Sequence, residues 1–238
     1  MRKSFKPGAL TAPLPPVMVT VGDEKEYNVI TIGWTGILST IPPKTYISVR
    51  PERHSFSLLQ KNGEFVINLT RATQARIVDY VGIYTGAKVD KFKECALTPV
   101  KSEKVLPPTI KECPVALECK VCEVIPMGTH HVFVADIVSV SCDEQIIDEK
   151  GKIRFDKAGL LAYAHGEYYA LGEKLGSFGF STKKEEKAAP CVNKTAKKCA
   201  TTVKKDEKEE KKKPFYLTAP KGKGGAKRGK KSKGGKGR

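Results

Sequence analysis

The sequence predicts a mainly β domain of antiparallel strands, followed by a long basic segment. Between Pro16 and Leu175, short apolar runs rich in Val, Ile, Thr and Tyr alternate with turn residues, a pattern typical of β-strands. These runs do not alternate steadily with helical segments, so they favour an antiparallel barrel or sandwich over a doubly wound sheet. After about residue 182 the sequence becomes rich in Lys and Gly and offers little that could enter a core.

Two helices and six strands are predicted in the first 182 residues. The helices are Ser55–Lys61 and Ala72–Val81, and in the second of them apolar residues recur at helical spacing. The predicted strands are 17–21, 29–34, 45–50, 64–69, 115–124 and 131–141.

The formal net charge of +17 is concentrated in one part of the chain. Residues 183–238 hold 21 of the 43 Lys and Arg residues and 6 of the 26 Asp and Glu residues, which gives that segment +15 and residues 1–182 only +2. Its composition predicts a disordered tail. Such a tail could bind polyanions weakly, non-specifically and in a salt-sensitive way, or it could simply be a solubilising extension.

The cysteines and the apolar runs indicate where the protein resides. Seven cysteines are an odd number without the spacing of a small disulfide scaffold, which favours free thiols in a reducing compartment. Prolines interrupt the N-terminal region, and no stretch approaches the roughly 20 apolar residues that a membrane span needs. We therefore expect a cytoplasmic protein that does not enter a membrane.

Two short motifs are weak candidates for metal or redox sites. Cys119 and Cys122 form a Cys-x-x-Cys pair, and His130 and His131 are neighbours. Cys119 and Cys122 fall in the predicted strand 115–124, and His130 directly precedes the predicted strand 131–141, which His131 begins. Residues one or three positions apart on a strand point to opposite faces. We therefore expect each pair to diverge and we expect no metal site.

The most informative stretch contains none of the common nucleotide-binding or zinc-protease motifs. It reads NVITIGWTGILSTIPPKTYISVRPERHS over residues 28–55 and is followed by GEFVINL at 63–69. With GEYYALGEKLG at 166–176, and with shorter pieces in the same order between them, the sequence resembles the flavin reductase-like family, in the flavoredoxin branch of FMN-binding split barrels. The resemblance covers roughly residues 5–182.

The resemblance implies a fold and an assembly. It implies a six-stranded antiparallel Greek-key split barrel with a few short helices, which usually forms a homodimer with FMN held at the subunit interface. We therefore expect a flavin reductase-like, FMN-binding domain at residues 1–182, followed by a disordered tail at 183–238.

The same stretch supplies the chemical groups that FMN requires. A flavin needs an apolar wall, backbone groups for the edge of its ring and a positive polar pocket for its phosphate. Gly33 would let the backbone approach the ring and Trp34 would offer an aromatic surface, although Trp34 could also be an ordinary core residue. Arg50 could hold the phosphate or be a solvated strand end.

The resemblance assigns the candidate residues to two groups. The turn that binds the isoalloxazine ring matches Thr31, Ile32, Gly33, Trp34 and Thr35. The strand and loop that bind the ribityl phosphate match Ser48, Arg50 and Ser55, and further candidates for the phosphate are Arg53, His54 and Lys91.

The expected activity is that of an FMN-binding oxidoreductase. Either NAD(P)H reduces the flavin, as in flavin reductases, or a redox partner protein or small acceptor exchanges electrons with it, as in flavoredoxin-like electron transfer. The chemistry resides in the flavin, so no catalytic side chain is expected. The alternatives are a non-enzymatic FMN carrier and a nucleic-acid-associated protein that uses the basic tail.

Overall fold

The computed structural model describes residues 1–182, and the chain divides into units Met1–Phe178 and Gly179–Arg238. The predicted tail, with Cys191 and Cys199, lies outside the described residues. The helices are α1 (His54–Asn62), α2 (Ala75–Ile83) and α3 (Lys91–Glu94), with 3-10 turns at Ala72–Gln74, Glu144–Ile146, Phe155–Lys157 and Phe180–Thr182. The strands are β1 (Val17–Gly22), β2 (Tyr27–Ile32), β3 (Thr35–Thr40), β4 (Pro43–Val49), β5 (Glu64–Leu69), β6 (Pro99–Val100), β7 (Thr109–Ile110), β8 (Val115–Met127), β9 (His130–Cys142), β10 (Leu161–Ala164) and β11 (Glu167–Ala170).

Seven of these strands form one antiparallel sheet in the order β2-β1-β5-β8-β9-β4-β3. The chain leaves β4 through α1 and returns as β5, which pairs with β1 rather than with β4. β2 and β4 also contact each other, although four strands lie between them in the order of the sheet. The sheet therefore curls into a barrel. Two small hairpins, β6-β7 and β10-β11, complete the set of strands in residues 1–182.

The sequence of each strand reflects the number of faces that it buries. β4 alternates buried and partly exposed side chains because one face lies in the barrel and the other does not. All six residues of β1 are buried because the barrel interior covers one face and α2 and α3 cover the other. The interior contains Val19, Ile47, Leu59, Phe65 and Phe133, and the outer layer joins Met18 and Val29 to Val78, Val81 and Phe92.

The predicted fold class is confirmed: the domain is mainly β, antiparallel and contains few helices. All six predicted strands and both predicted helices are present, with bounds shifted by a few residues. The main sheet has one strand more than the six expected. This strand, β3, pairs only with β4 at the edge of the sheet, and its apolar Ile37 and Leu38 are exposed.

Within residues 1–182, no helix has both the length and the apolar character needed to cross a bilayer. The five cysteines described there are all free thiols.

Candidate functional site

Five of the predicted phosphate-binding residues meet in one pocket of about 160 Å³. The pocket lies where the end of β4, the start of α1, β2 and the segment from α2 to α3 come together. We call it the cationic pocket; its walls contain Arg50, Arg53, His54, Ser55 and Lys91, together with Asn28, Ile30, Glu52, Val81, Gly82, Tyr84, Thr85 and Gly86. Residues far apart in sequence thus place four basic side chains around one small space.

The N-terminus of α1 opens onto this pocket. Arg53 is the N-cap residue in an extended conformation, and no side chain caps this end of the helix. The first N–H groups of a helix lack partners within the helix, and the helix dipole makes this end attractive to anions. The nine-residue helix therefore adds backbone donors to the basic side chains.

Lys91 is the buried cation of the pocket, with only 3% of its surface exposed. Its ammonium Nζ donates to the backbone carbonyls of Val29 and Val81, each at 2.8 Å. An ammonium carries three N–H bonds, so these two acceptors leave one donor for the pocket. Burial, with Arg53 nearby, lowers the pKa of Lys91 to about 8.

Arg50 is an exposed cation of the pocket, and it already has a partner. Its Nη1 lies 3.2 Å from Oε1 of Glu52, and both side chains are roughly half exposed or more. The backbone N–H of Glu52 and the Arg50 guanidinium lower the pKa of the Glu52 carboxyl. A ligand anion would therefore compete with Glu52 for Arg50.

Asn28 and Gly86 shape the pocket, and neither was predicted from the sequence. Asn28 Nδ2 donates to Ser55 Oγ at 2.8 Å, which leaves the Ser55 O–H to donate into the pocket. A Cβ on Gly86 would lie 2.3 Å from Asn28 Oδ1, so any other residue there would displace the Asn28 side chain that bonds Ser55. The sequence signal is weak: one polar residue in an apolar strand and one glycine in a loop.

The remaining predicted site residues do not line the cationic pocket. Ile32 is 5% exposed in the barrel core. The hydroxyls of Thr31 and Thr35 donate to the carbonyls of Val78 and Tyr46, each at 2.6 Å, and so hold β2 and β3 in place. Contact of these residues with a flavin ring remains a prediction.

Trp34 is the exposed aromatic residue of this turn. It is 43% exposed and its ring lies 4.4 Å from that of His130, which excludes the alternative of a core residue. The backbone carbonyl of Trp34 accepts a hydrogen bond from the Ser48 N–H at 3.0 Å. Arg50, which lines the cationic pocket, is two residues after Ser48 in the chain. Two residues span at most about 7 Å, so the turn and the cationic pocket are close neighbours. Gly33, beside the indole, has room for a Cβ, with its nearest neighbour, Leu14 Cδ1, at 4.0 Å.

The two weak metal or redox motifs diverge as expected. Cys119 is buried and Cys122 is exposed. The His130 ring contacts the Trp34 indole at a tilt of 47°, whereas His131 packs edge-on against Phe56 on the core side. In residues 1–182, no three His, Cys, Asp or Glu side chains are grouped closely enough to hold a metal ion.

The donor set fits the phosphate end of a flavin mononucleotide. Basic side chains, a hydroxyl and the N-terminus of a helix are the groups that bind phosphate in proteins. The volume of the pocket is below the roughly 300–1,000 Å³ of pockets that enclose a whole ligand. The pocket would thus hold the phosphate, while a ring would lie outside it.

Comparisons with known proteins agree with this architecture. Flavoredoxin of Desulfovibrio vulgaris (Miyazaki F) superposes with a TM-score of 0.72 at 32% identity, covering 77% of this chain and 100% of that one. Flavoredoxin from Methanosarcina acetivorans gives 0.69 at 25% identity, covering 76% and 100%. The FMN-binding protein from Thermus thermophilus gives 0.63 at 29% identity, covering 74% and 99%.

Sequence comparison gives the same result. An uncharacterized protein from Archaeoglobus fulgidus is 34% identical over 143 residues, which are 60% of this chain and 80% of that protein. Residues 10–172 match the model of the flavin reductase-like domain. The chain therefore belongs to the flavin reductase-like family of split barrels.

Proposed function

We propose that this protein binds FMN and works as a flavin-dependent oxidoreductase. One observation carries the proposal: Arg50, Arg53, Ser55 and Lys91 converge on one small pocket at the N-terminus of α1. Membership of the flavin reductase-like family, and the flavoredoxin and FMN-binding protein among its structural neighbours, support flavin as the ligand whose phosphate occupies that pocket.

Each group would have a distinct role in holding FMN. Lys91 would supply a fixed positive charge, because two backbone carbonyls already orient its ammonium. Arg50 would exchange its contact with Glu52 for the phosphate, and the Ser55 hydroxyl would donate a further hydrogen bond. The ring would extend toward Trp34, past the backbone of Gly33.

A bound flavin supplies hydride and electron transfer, and the side chains bind it, orient it and limit the access of water. We propose NAD(P)H as the electron donor, with a redox partner protein or a small molecule as the acceptor. The donor would approach from the side on which the Trp34 indole is exposed. No side chain needs to act as an acid or base in this scheme.

The absorbance spectrum of the gently purified protein tests flavin binding. We expect the bands of oxidised flavin, or their appearance after incubation with FMN and desalting. A protein that remains colourless and does not quench FMN fluorescence would contradict the proposal. Steady-state oxidation of NADH and NADPH with added FMN, without partner proteins, then distinguishes a reductase from an FMN carrier that only partner proteins reduce and reoxidise.

We further propose that the protein is a homodimer whose second copy covers the ring. Large apolar side chains are exposed along β3, the β3-β4 turn and the far end of β8, namely Ile37, Leu38, Ile41, Val124, Ile125 and Met127. Exposed apolar patches of this kind mark interaction surfaces. Light scattering at micromolar concentration should give twice the mass of the chain. A monomer with flavin still bound would contradict an interface site.

A nucleic-acid-associated role is the second candidate, and the charge of residues 183–238 is the observation that favours it. This role predicts salt-sensitive retention on RNA that depends on the tail and not on flavin. A cytoplasmic location is part of the main proposal, and cell fractionation tests it.

A further inference from the structure

Cys122 is the exposed thiol among the five cysteines that the structure describes, and it does not line the cationic pocket. The other four are buried or partly buried. Burial raises the pKa of the Cys113 and Cys119 thiols to about 12, and it also raises the pKa of Cys95 and Cys142. Because peroxides react with accessible thiolates, Cys122 is the thiol of this domain that is most open to oxidation.

A β-bulge in β8 brings the Cys122 side chain next to a lysine of another strand. The register between β8 and β9 shifts between Val121 and Glu123, which makes Cys122 the extra residue of the bulge. Its thiol donates to the backbone carbonyl of Val134 on β9 at 3.5 Å. Its Sγ also lies 3.5 Å from Nζ of Lys44 on β4, 78 positions away in the sequence. The sulfur and the amine therefore meet across β9.

Asp136, on the strand between them, holds the Lys44 side chain beside this sulfur. The two side chains form an ion pair and are 31% and 43% exposed, with Lys44 the less exposed of the two. They are also direct partners in the register of β4 and β9, so folding of the sheet itself positions the amine. The hydrogen bond to Asp136 raises the pKa of Lys44. The amine must therefore lose a proton before it can react, and the carboxylate is placed to accept it.

We propose that peroxide converts Cys122 and Lys44 into a reversible covalent crosslink through a sulfur–nitrogen bond. The site consists of two reacting groups of this chain in contact with each other, with Asp136 as the base. It joins β4 to β8 across β9. The reaction requires no flavin, so it goes beyond the proposed function.

The reaction consumes one hydrogen peroxide for each crosslink. Peroxide transfers one oxygen atom to the sulfur, its O–O bond breaks, and the thiol becomes a sulfenic acid with release of one water. The nitrogen of Lys44 then attacks the sulfur and the S–O bond breaks, a condensation that sulfenic acids undergo with nitrogen in proteins. Of the two protons that the ammonium loses, one leaves with the hydroxyl as a second water and the other passes through Asp136 to solvent. The sulfur loses two electrons, which reduce the peroxide.

The crosslink is reversible and stabilises the fold. A thiol reductant attacks the sulfur, restores the thiol and the amine, and is itself oxidised to a disulfide. While the crosslink is present, it closes the loop between positions 44 and 122 and thereby restricts the unfolded chain. The pair is therefore a staple that forms under oxidising conditions and opens under reducing ones.

Peptide mass spectrometry of the full chain, first reduced and then treated with hydrogen peroxide, tests this proposal. We expect a linked pair of peptides that contain Lys44 and Cys122, lighter than their sum by about 2 Da because two hydrogens are lost. Dithiothreitol should separate them. The melting temperature should rise by several degrees on treatment and return to its initial value after reduction.

Lys44→Arg is the matched variant, because its guanidinium keeps the positive charge beside Asp136 but stays protonated and cannot attack the sulfur. In this variant Cys122 should stop at the sulfenic acid, so that dimedone labels it at least about threefold more than in the unchanged protein. Its melting temperature should not rise with peroxide. Cys122→Ser, at an exposed position, should fold normally and give neither the linked peptides nor a label at this position.

Oxidation of Cys122 to a sulfenic or sulfinic acid without linked peptides would overturn the proposal. Equal dimedone labelling of the unchanged protein and Lys44→Arg would also overturn it, because the amine would then not consume the sulfenic acid. Linked peptides that carry an additional oxygen atom would overturn the condensation step. Flavin binding does not enter any of these measurements, so their failure would leave the proposed function intact.

Discussion

Lys91 should make the affinity for FMN depend on pH in a range where an ordinary lysine stays charged. Burial, with Arg53 nearby, lowers its pKa from 10.5 to about 8. The protonated ammonium attracts a phosphate, whereas the neutral amine does not. We therefore expect FMN to bind most tightly below pH 8 and to bind progressively less tightly as the pH rises through this value.

The size of the effect follows from the shifted pKa. A group with a pKa of about 8 is roughly 90% protonated at pH 7 and roughly 10% protonated at pH 9. If only the protonated form of Lys91 holds the phosphate, the dissociation constant of FMN rises about tenfold between these two pH values.

The flavin-free protein should respond to pH in the opposite direction. Between about pH 8 and 10.5 the unfolded chain holds the Lys91 proton more tightly than the folded chain does. The contribution of Lys91 to the free energy of unfolding therefore rises with pH across this window, by up to about 3 kcal/mol. General alkaline unfolding would instead reduce stability and FMN affinity together.

Fluorescence titrations at pH 7, 8 and 9 measure this effect, with a thermal melt of the flavin-free protein at each pH. Riboflavin is the matched control ligand, because it has the same ring and ribityl chain but no phosphate. We expect its affinity to change less than that of FMN. An FMN affinity that is constant from pH 7 to pH 9, or a decline equal to that of riboflavin, would refute the assigned role of Lys91.

Four further changes test the site, the core and the tail. Arg50→Ala should weaken FMN binding by about 1.5–3 kcal/mol in titration calorimetry and leave the fold intact; unchanged affinity would remove Arg50 from the phosphate site. Glu52→Gln should strengthen FMN binding about two- to threefold in the same assay because it releases Arg50 and removes a negative charge; weaker binding would mean that Glu52 orients Arg50 instead. Phe65→Ala, in the barrel core, should lower the free energy of unfolding by about 3–5 kcal/mol in urea, whereas Phe5→Ala at an 80% exposed position should change it little; similar losses would contradict the assigned core. Deletion of 183–238 should leave flavin content and melting temperature almost unchanged and abolish most retention on heparin; loss of flavin would show that the tail reaches the site.

The sequence predicted the strands that bury one or both faces and missed the elements that lack this pattern. Period-two alternation or a continuous apolar run identified β1, β4, β5 and β9. In β3 the adjacent residues Ile37 and Leu38 are both exposed, so no alternation appears, and the strand exists because it pairs with β4. The hairpins β6-β7 and β10-β11 are likewise too short to produce a periodic signal.

The residues proposed to bind phosphate were easier to predict than the geometry around them. Arg50, Arg53, His54 and Ser55 are close in sequence and basic or polar, and the structure brings Lys91 to them. The contacts that define the pocket join residues far apart in sequence. Asn28 donates a hydrogen bond to Ser55, 27 positions away, and Lys91 donates one to the carbonyl of Val29, 62 positions away. Because these contacts depend on β2 packing against α1 and α3, no local pattern could indicate them.

Lys91 and Arg50 differ in how much they would have to rearrange on binding an anion. Lys91 is fixed by two carbonyls in the outer core layer, so its orientation is set by folding. Replacing it with an apolar residue would leave those buried carbonyls unpaired, at about 1–3 kcal/mol for each. Arg50 is half exposed and already contacts Glu52, so a phosphate would compete with that carboxylate for its guanidinium. Lys91 should therefore determine where the phosphate sits, since a preorganised charge loses little freedom on binding, while Arg50 adjusts the affinity.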